Sequence, residues 1–327
     1  MTKLRRITLS VVLGSVGLAV ACFNDTPVEP DSTADACDSG LVLGCVAEIP
    51  VESDQTFTIC SSETSAPNVY DVADFANVFE DFEQQTQMRL VGHQWDNTLV
   101  RNCRIHDTPG AAVFIRDADN VVIQHCEIWN TGNVDNSAIK MSAWGTGTKN
   151  VTIDGNYIHD VPNNGIWAGE DVDVDHVGLK VINNLIERTG VGSSSGLDHP
   201  IYLQSSEFLI ADNTILGPRD GNGISVRSSG VVRCNHVSGT SRSGKPGIKY
   251  FSDHPAGASN ELVIEHNTVS SETRGIQLAP PVNSTRGLVP PTHVVKSFII
   301  RNNVIKAPTE IDINSAYDKA PYSVALQ

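Results

Sequence analysis

One short pattern of apolar and polar positions recurs along most of the chain. From residue 98 onward, eight segments share an Ile or Val, two variable residues, an Asn or Cys, one more variable residue and a second Ile or Val. The fourth position of these segments is occupied by Cys103, Cys126, Asn156, Asn184, Asn213, Asn235, Asn267 and Asn303. Successive copies lie 22 to 36 residues apart, which indicates a coil of fixed minimum length that carries loops of different length.

A second apolar phrase follows each copy of the first. It consists of a small residue, Ile or Val, any residue and another apolar residue, as in "GIWA" from Gly165 and "GISV" from Gly223. Alternating β-branched residues are typical of strands, and the Gly, Asn and Ser between the segments favour turns. The repeat therefore predicts about three short strands around one apolar centre, which is a parallel β-helix. A leucine-rich repeat fits less well, because leucine does not dominate and no helical return follows the strands.

Asparagines at the same corner of successive coils are expected to stack their side-chain amides along the axis, where they hydrogen-bond neighbouring coils. Cys103 and Cys126 replace Asn on two successive coils. Stacked positions lie within the Cα distance that a disulfide requires. We therefore predict a bond between Cys103 and Cys126.

The first 21 residues have the pattern of an export signal. Three basic residues within the first six positions precede an apolar run, and small residues come directly before Cys22. The segment "GLAVAC" resembles a bacterial lipoprotein signal, in which the cysteine is lipidated and becomes the mature N-terminus. We expect a signal peptide over residues 1–21 and a lipid on Cys22 that anchors the exported protein to the bacterial cell envelope, at the outer membrane if the source is Gram-negative. The Ala-x-Ala pattern also suits ordinary signal peptidase, which would give a secreted protein.

The cysteine count favours the lipoprotein. The chain has seven cysteines, so removing Cys22 leaves an even number in an oxidising compartment where disulfides form. Cys37 and Cys45 are expected to close a small loop. The pairing of Cys60 and Cys234 stays open at this point.

Acidic residues are concentrated near the N-terminus. Residues 22–56 are rich in Asp, Pro, Ser and Thr without a period, which predicts a flexible acidic tether. Residues 23–88 contain fourteen acidic residues and no Lys or Arg, whereas residues 89–327 contain 24 acidic and 20 basic residues. The net charge of −15 therefore describes the leader more than the domain. No basic tract indicates nucleic acid, and we expect a monomer that touches a membrane only through its N-terminal lipid.

The segment "DVADFANVFEDFEQQ" places Val72, Phe75, Phe79 and Phe82 at steps of three and four residues. This spacing predicts an amphipathic helix over about residues 71–84, with an acidic outer face. We expect this helix to cap a single β-helix domain over residues 57–327.

The phrases from residue 98 to about 313 resemble the right-handed parallel β-helix repeats of the pectate lyase and polygalacturonase superfamily. The resemblance covers about two thirds of the chain. It implies an all-β fold, a single right-handed parallel β-helix, in which the strand after the Asn corner and its loop carries a binding groove. It is specific for the fold but not for the reaction, since this scaffold hosts many activities.

Alternation along the Gly-Ile-x-Ile strands directs every second side chain out of the core. The outward residues of the central coils and their entering loops include Trp167, Asp198, His199, Tyr202, Gln204, Asp220, Arg227, Lys249 and Phe251. Aromatic rings suit the faces of sugars, and cations suit carboxylates. These positions therefore predict a groove for an acidic polysaccharide.

The reaction that such residues favour is β-elimination on a uronate-containing polysaccharide. A cation neutralises the carboxylate, a base removes the adjacent carbon-bound proton, and an acid protonates the leaving oxygen. Arg227 suits the first role, and His199, Tyr202 or Lys249 the second, with Tyr202 also suited to the third. Contacts to the substrate would come from Trp167, Asp198, Gln204, Asp220 and Phe251.

Two alternatives remain beside the lyase. One is a non-catalytic, carbohydrate-binding or structural surface lipoprotein that uses the same face. The other is a glycoside hydrolase that uses the carboxylates of Asp198 and Asp220. Hydrolysis fits less well, because "GLDHP" has a single Asp and "GNGIS" has Asn222 where the polygalacturonase-like enzymes have a histidine.

The segment "GEDVDVDH" after Trp167 offers the carboxylates of Glu170, Asp171, Asp173 and Asp175. Hard oxygen ligands in a loop suit calcium, and the resemblance implies calcium because several β-helix lyases use it. An EF-hand is excluded, since its sixth position would be His176 rather than Gly. We expect no cofactor other than this calcium ion.

Overall fold

The computed structural model describes residues 68, 70–132, 137–169, 174–252, 260–281 and 294–327. Within these residues, the regular elements are β-strands and three short 3-10 turns, which span Val72–Asp74, His93–Trp95 and Ser315–Asp318. All of them belong to one compact unit, residues 36–327. The chain winds into a solenoid, which confirms the predicted parallel β-helix.

Three parallel sheets run along the solenoid, and each full coil contributes one strand to each sheet. The first sheet consists of β1 (Asn77–Glu80), β4 (Thr98–Arg101), β7 (Val122–Gln124), β10 (Thr152–Asp154), β13 (Lys180–Ile182), β16 (Phe208–Ala211), β19 (Gly230–Arg233), β22 (Glu261–Glu265), β25 (Ser297–Arg301) and β28 (Ser323–Leu326). The second sheet consists of β2 (Glu83–Gln84), β5 (Arg104–His106), β8 (Glu127–Trp129), β11 (Tyr157–Val161), β14 (Leu185–Thr189), β17 (Thr214–Leu216), β20 (His236–Thr240), β23 (Thr268–Ser271) and β26 (Val304–Lys306).

The third sheet contains the strands of the Gly-Ile-x-Ile phrase. Its members are β3 (Met88–Val91), β6 (Val113–Arg116), β9 (Ser137–Met141), β12 (Asn164–Ala168), β15 (Ile201–Leu203), β18 (Ile224–Val226), β21 (Pro246–Tyr250), β24 (Arg274–Leu278) and β27 (Thr309–Ile313). The apolar positions of this phrase point into the core, as Ile166, Ile201 and Ile224 show with no exposed surface. The alternate positions therefore point outward, as the sequence predicts.

The corner between the first and second sheets is the same in every coil that carries the repeat phrase. Its first residue adopts a left-handed conformation, with φ of 57° at Asn183 and 58° at Asp212, which Asn, Asp and Gly tolerate better than most residues. Its second residue is the repeated Asn. Asn184 Nδ2 donates to Asn213 Oδ1 at 2.9 Å, and Asn213 Nδ2 donates to Asn235 Oδ1 at 2.9 Å. This asparagine ladder runs from Asn156 to Asn303 and confirms the expected stacking.

The predicted disulfide between Cys103 and Cys126 is confirmed. The two residues occupy the ladder position of successive coils, with their Cα atoms 4.5 Å apart. Cys234 is also disulfide-bonded. The other predictions near the N-terminus, which are the signal peptide, the lipid on Cys22, the tether, the Cys37–Cys45 loop and the pairing of Cys60, lie outside the described residues.

The predicted helix over residues 71–84 is wrong. Only Val72–Asp74 form a single 3-10 turn, and the rest of the segment supplies β1 and β2 of the first coil. β1 pairs with β4 so that Phe79 lies beside Val100, and Phe79 and Phe82 pack against the core. The spacing of three misled the interpretation because "FEDFEQ" is a degenerate copy of the repeat phrase, whose first and fourth positions are also three residues apart. Pairing with the next coil decides its structure.

No helix in the described part of the chain is long and apolar enough to cross a membrane.

Candidate functional site

The outward face of the third sheet carries one side chain per coil in strict register. Strand pairing places Phe114, Lys140, Trp167, Tyr202, Ser225, Lys249 and Gln277 side by side along the solenoid. Alternation along the strands predicts an outward column of this kind, and Trp167, Tyr202 and Lys249 are the members named in the sequence analysis. Ser225 differs from the others because its side chain is buried, and Arg227 from the next outward position lies against it.

Six side chains of this face form a continuous aromatic–cation stack, which comprises Lys140, Trp167, Tyr202, Arg227, Phe251 and Lys249. Lys140 Nζ lies 4.9 Å from the centre of the Trp167 ring, which is 6.1 Å from the Tyr202 ring and tilted by only 14°. Arg227 Cζ lies 4.6 Å from the Tyr202 ring and 5.1 Å from the Phe251 ring. Lys249 Nζ lies 5.6 Å from the Phe251 ring. The sequence therefore identifies residues that do come together.

The orientation of the rings differs from the expectation. Because Trp167 lies between Lys140 and Tyr202, and Tyr202 lies between Trp167 and Arg227, the faces of both rings are covered by neighbours from adjacent coils. A ligand on this outward face would therefore contact ring edges and cationic groups rather than open aromatic faces. Cation–π contacts of this kind stabilise the stack itself.

Arg227 is held rigidly beneath this surface. Its side chain is 7% exposed, and its Nη1 donates to Ser225 Oγ at 2.9 Å. Asn222 Nδ2 donates to the same oxygen at 3.1 Å. A buried guanidinium fixed in this way presents a localised positive charge to the groove.

His199 is buried beside Tyr202, with the two rings 5.7 Å apart and nearly parallel. Burial, followed by the charges of Arg227, Lys245 and Lys249, places the pKa of His199 well below its ordinary value. The imidazole is therefore neutral near neutral pH.

The hydrogen bonds of His199 also fix its tautomer. Its Nδ1 accepts from the backbone N–H of Asn222 at 2.8 Å, and its own backbone N–H donates to Asn164 Oδ1 at 2.7 Å. The proton therefore resides on Nε2. Gly221 leaves room for this contact, since an added Cβ would lie 2.1 Å from Nδ1. Because Nδ1 already accepts a hydrogen bond and Nε2 carries the proton, His199 can donate a hydrogen bond but does not offer a free nitrogen to act as a base. Of the three bases predicted from the sequence, Tyr202 and Lys249 remain.

Asp198 and Asp220 lie in a network that holds the loop ahead of β15. Ser195 Oγ lies 3.2 Å from both Asp198 Oδ2 and Asp220 Oδ2, so its single hydroxyl proton is shared between the two carboxylates. The backbone N–H of Asp198 donates to Asp220 Oδ2 at 3.2 Å, and Arg242 pairs with Asp220 Oδ1. The structure thus brings the two carboxylates together as anchors of this loop.

The charge state of Asp220 follows from these contacts. Burial alone would raise its pKa, but hydrogen bonds from the backbone of Asp198 and Gly196 and the charge of Arg242 hold the pKa below its ordinary value. Asp220 is therefore ionised and fully buried. An ionised Asp220 suits the base or nucleophile of a hydrolase but not its general acid, which requires a raised pKa.

Lys245 completes the cationic character of the loop region. Its Nζ donates to the carbonyl oxygen of Gly196, and burial lowers its pKa. Arg242 Nη2 donates to the carbonyl oxygen of Ser194 at 2.6 Å. Two cations from the loop before β21 thus fix the loop before β15, two coils away. Gln204, which was predicted to contact substrate, is buried at the outward position after β15.

Only Asp175 of the four predicted calcium ligands lies within the described residues, and it accepts from Ser206 Oγ at 3.4 Å. Glu170, Asp171 and Asp173 lie outside them. Across the described ranges, no group of three or more His, Cys, Asp or Glu residues could hold a metal ion. The calcium site stays a prediction, which calorimetric titration with calcium can test.

A second aromatic array lies on the outward face of the second sheet, and sequence reasoning missed it. Trp129 stacks between His106 at 4.1 Å and His159 at 5.6 Å. The signal was available, because the three residues occupy the same position after the corner phrase in "RIH", "EIW" and "YIH".

Carboxylates bind both nitrogens of each histidine in this array. His106 contacts Asp107 at 2.7 Å and Glu83 at 3.0 Å. His159 contacts Asp160 at 2.7 Å and Glu127 at 3.4 Å. Burial alone would lower the pKa of both histidines, but these hydrogen bonds and charges raise it. Since the groups satisfy one another, the array is a stabilising network rather than a ligand site.

Sequence reasoning also left two cations out of the site. Alternation places Lys140 of the "AIKM" phrase in the outward column, but the predicted site residues do not include it. Arg242 stands in a loop that no repeat phrase covers. Its pairing with Asp220 arises only when the coils stack.

The match to a family model agrees with the fold. The family described as "Right handed beta helix region" matches residues 55–195 and 92–253. This is more than half of the chain, so the protein belongs to that family of right-handed β-helix proteins. One solved structure, the surface adhesin PfbA of Streptococcus pneumoniae, is 11% identical with a TM-score of 0.37, over 73% of this chain and 70% of the adhesin chain. No curated protein matches the sequence.

Proposed function

We propose that the outward face of the third sheet binds an acidic, uronate-containing polysaccharide. The observation that carries this proposal is the aromatic–cation stack, which aligns Lys140, Arg227 and Lys249 along one face. The nearby carboxylates of Asp198 and Asp220 are engaged in the loop network, whereas the three cations lie on the outward face itself. Charge complementarity of this kind favours an anionic ligand.

The dimensions of the stack suit a linear polymer. Lys140 and Lys249 lie four coils apart, which corresponds to about 19 Å at the ordinary spacing of strands. A polysaccharide chain that runs along the solenoid axis can therefore place several successive carboxylates near these cations. The covered ring faces indicate recognition through charge and through hydrogen bonds at the ring edges.

The binding experiment compares acidic and neutral polysaccharides on the full mature chain. We expect binding to alginate, pectate or glycosaminoglycans that weakens as salt rises, because salt screens exposed charges. The variant K140A/K249A should lower the affinity and flatten the salt dependence. Lys306→Ala is the matched control, since this exposed lysine lies on the second sheet. Equal binding to a neutral polysaccharide, or an unchanged affinity in K140A/K249A, would refute the proposal.

The second candidate function is cleavage of the bound chain by β-elimination. It is favoured by the contact of Arg227 with the Tyr202 ring at 4.6 Å and by the neutral His199 on the same side. Arg227 would neutralise the uronate carboxylate, and the Tyr202 hydroxyl would exchange protons with the substrate. The Tyr202 oxygen, as a phenolate, takes the proton from C5, the C4=C5 double bond forms as the bond from C4 to the glycosidic oxygen breaks, and the resulting Tyr202 hydroxyl gives its proton to that oxygen. His199 Nε2–H would donate a hydrogen bond to the bound substrate, and Lys249 is the alternative base for the C5 proton.

Cleavage is tested by the ultraviolet absorbance of the unsaturated uronate product. We expect Tyr202→Phe to abolish the product while binding remains, because the ring and its stacking are kept. Arg227→Lys should reduce both, and its thermal unfolding must be checked because Arg227 is buried. Binding without any product would reject the lyase and leave a carbohydrate-binding surface protein.

We also propose that the protein is exported and anchored through a lipid on Cys22. The N-terminal sequence and the Cys103–Cys126 disulfide support export, since disulfides persist in oxidising compartments. Cell fractionation should find the protein with membranes and a Cys22→Ala variant in the soluble fraction. A wild-type protein that is soluble after export would contradict the anchor.

A further inference from the structure

Trp144 is the most exposed large apolar side chain of the described residues, at 72%. It follows β9, the strand whose outward Lys140 begins the aromatic–cation stack. Its exposure contrasts with Trp167 and Tyr202, whose ring faces are covered by their neighbours in the stack. Trp144 therefore offers the open aromatic face that the stack lacks.

The turn that carries Trp144 is built to hold one conformation. The backbone N–H of Trp144 donates to Ser142 Oγ at 3.0 Å. Asp117 Oδ1 accepts from the backbone N–H of Thr146 at 2.6 Å and from its hydroxyl at 3.0 Å. Gly145 has a φ of 109°, and a Cβ there would lie 2.2 Å from Asp117 Oδ1. An exposed tryptophan on a pre-organised turn loses little conformational entropy when it binds a ligand.

A buried histidine connects this turn to the stack. His176 Nε2–H points at the carbonyl oxygens of Gly169, at 2.9 Å, and of Ser142, at 3.1 Å. Gly169 directly supports the Trp167 ring, since an added Cβ would lie 2.0 Å from its edge. His176 thus ties the end of the coil that bears Trp167 to the start of the turn that bears Trp144.

His176 keeps this arrangement over the working pH range. Its Nδ1 accepts from the backbone N–H of Thr148 at 3.1 Å, so the proton resides on Nε2. Burial lowers the pKa of His176 to about 4. The imidazole is therefore neutral, and its Nε2–H continues to bridge the two carbonyl groups.

We propose that Trp144 is the sugar-stacking residue of the polysaccharide groove and holds one pyranose ring at the edge of the third sheet. This inference rests on the proposed binding of an acidic polysaccharide. The charges of the chain would contact Lys140, Arg227 and Lys249, and the apolar face of one sugar would lie on the indole. Tryptophan combines a large apolar surface with few rotatable bonds, which suits it to such a role.

The test measures affinity for an acidic polysaccharide with the variants Trp144→Ala and Trp144→Phe on the full mature chain. We expect about a tenfold or larger loss for the alanine variant and partial retention for the phenylalanine variant, as for an aromatic anchor residue. The dependence of affinity on salt should stay unchanged in both, because no charge is removed. Val72→Ala is the matched control, since Val72 is exposed at the far N-terminal coil.

Tryptophan fluorescence gives a second measurement, because Trp144 is one of the four tryptophans in the chain. Polysaccharide should change the emission of the wild-type protein, and this change should be largely lost in Trp144→Phe. If Trp144→Ala binds as tightly as the wild type while K140A/K249A binds weakly, the role of Trp144 is refuted and the proposed function stands. If the wild type binds no acidic polysaccharide, both fail.

Discussion

Replacing Asn213 by Ala should destabilise the solenoid more than any change at an exposed position. Asn213 lies in the middle of the asparagine ladder and is 1% exposed. Its Nδ2 lies 2.8 Å from Val181 O, 3.0 Å from Ala211 O and 2.9 Å from Asn235 Oδ1, so its two hydrogens are shared among three acceptors. Its Oδ1 accepts two hydrogen bonds from Asn184, at 3.0 and 2.9 Å.

The expected loss of stability depends on which hydrogen bonds the partners of Asn213 keep in the variant. Ala211 O also accepts from Asn183, and Asn184 Nδ2 also donates to Ile153 O, so these groups keep a partner. The backbone N–H of Asn184 loses the acceptor that Asn213 Oδ1 provides. With about 1 kcal/mol for a typical hydrogen bond and more for a buried group left unsatisfied, the free energy of unfolding should fall by about 3 to 5 kcal/mol.

Asn303→Ala is the matched control at the end of the ladder. Asn303 makes similar bonds to Ile264 O, at 2.9 Å, and to Asn267, but it is half-buried. Because water can replace part of the lost bonding, we expect a loss of only about 1 to 2 kcal/mol. Urea unfolding followed by circular dichroism measures both. Equal losses for the two variants, or a loss below about 1 kcal/mol for Asn213→Ala, would refute the role assigned to the buried ladder.

Two further predictions concern the outward faces. The pKa values of His106 and His159 in the folded protein lie above the ordinary unfolded value of about 6.5. The stability that the two protonated histidines contribute is therefore fully present below about pH 6.5 and is lost as the pH rises through the folded-state pKa values. The destabilisation caused by His106→Gln, measured by urea unfolding, should therefore be larger at acidic than at alkaline pH, and the reverse order would contradict the network. Gly169→Ala should displace the Trp167 ring, since the added Cβ would lie 2.0 Å from it; unchanged tryptophan emission would show that the ring does not rest there.

The repeat phrase made the core and the ladder predictable, because it marks the same positions eight times. A single degenerate copy carries much less information, which is why the segment with Phe79 and Phe82 was assigned to a helix. The outward column was predictable from alternation, but the ring orientations were not. They depend on which side chains stand above and below, as Lys140 and Tyr202 do for Trp167.

Contacts between loops were the least predictable part of the site. Asp220 lies in a loop that enters a strand of the third sheet, where the sequence suggests a catalytic or substrate-binding carboxylate. Only the stacking of coils brings Arg242 into contact with it. His199 carries the residue type of a general base, but the backbone N–H of Asn222 occupies its Nδ1. Both outcomes depend on residues more than twenty positions away in the sequence, which no local pattern connects.

The corner between the first and second sheets has a consequence for how such a protein can change. In each of the eight coils with the repeat phrase, two residues separate the two strands, whereas the connection into the third sheet ranges from two residues after β11 to eleven after β14. Insertions and deletions are thus confined to the other two corners, and the constant corner between the first and second sheets keeps the strands of successive coils in register. A lineage can therefore lengthen the loops around the groove, or duplicate a whole coil, and so alter the ligand without rebuilding the interior.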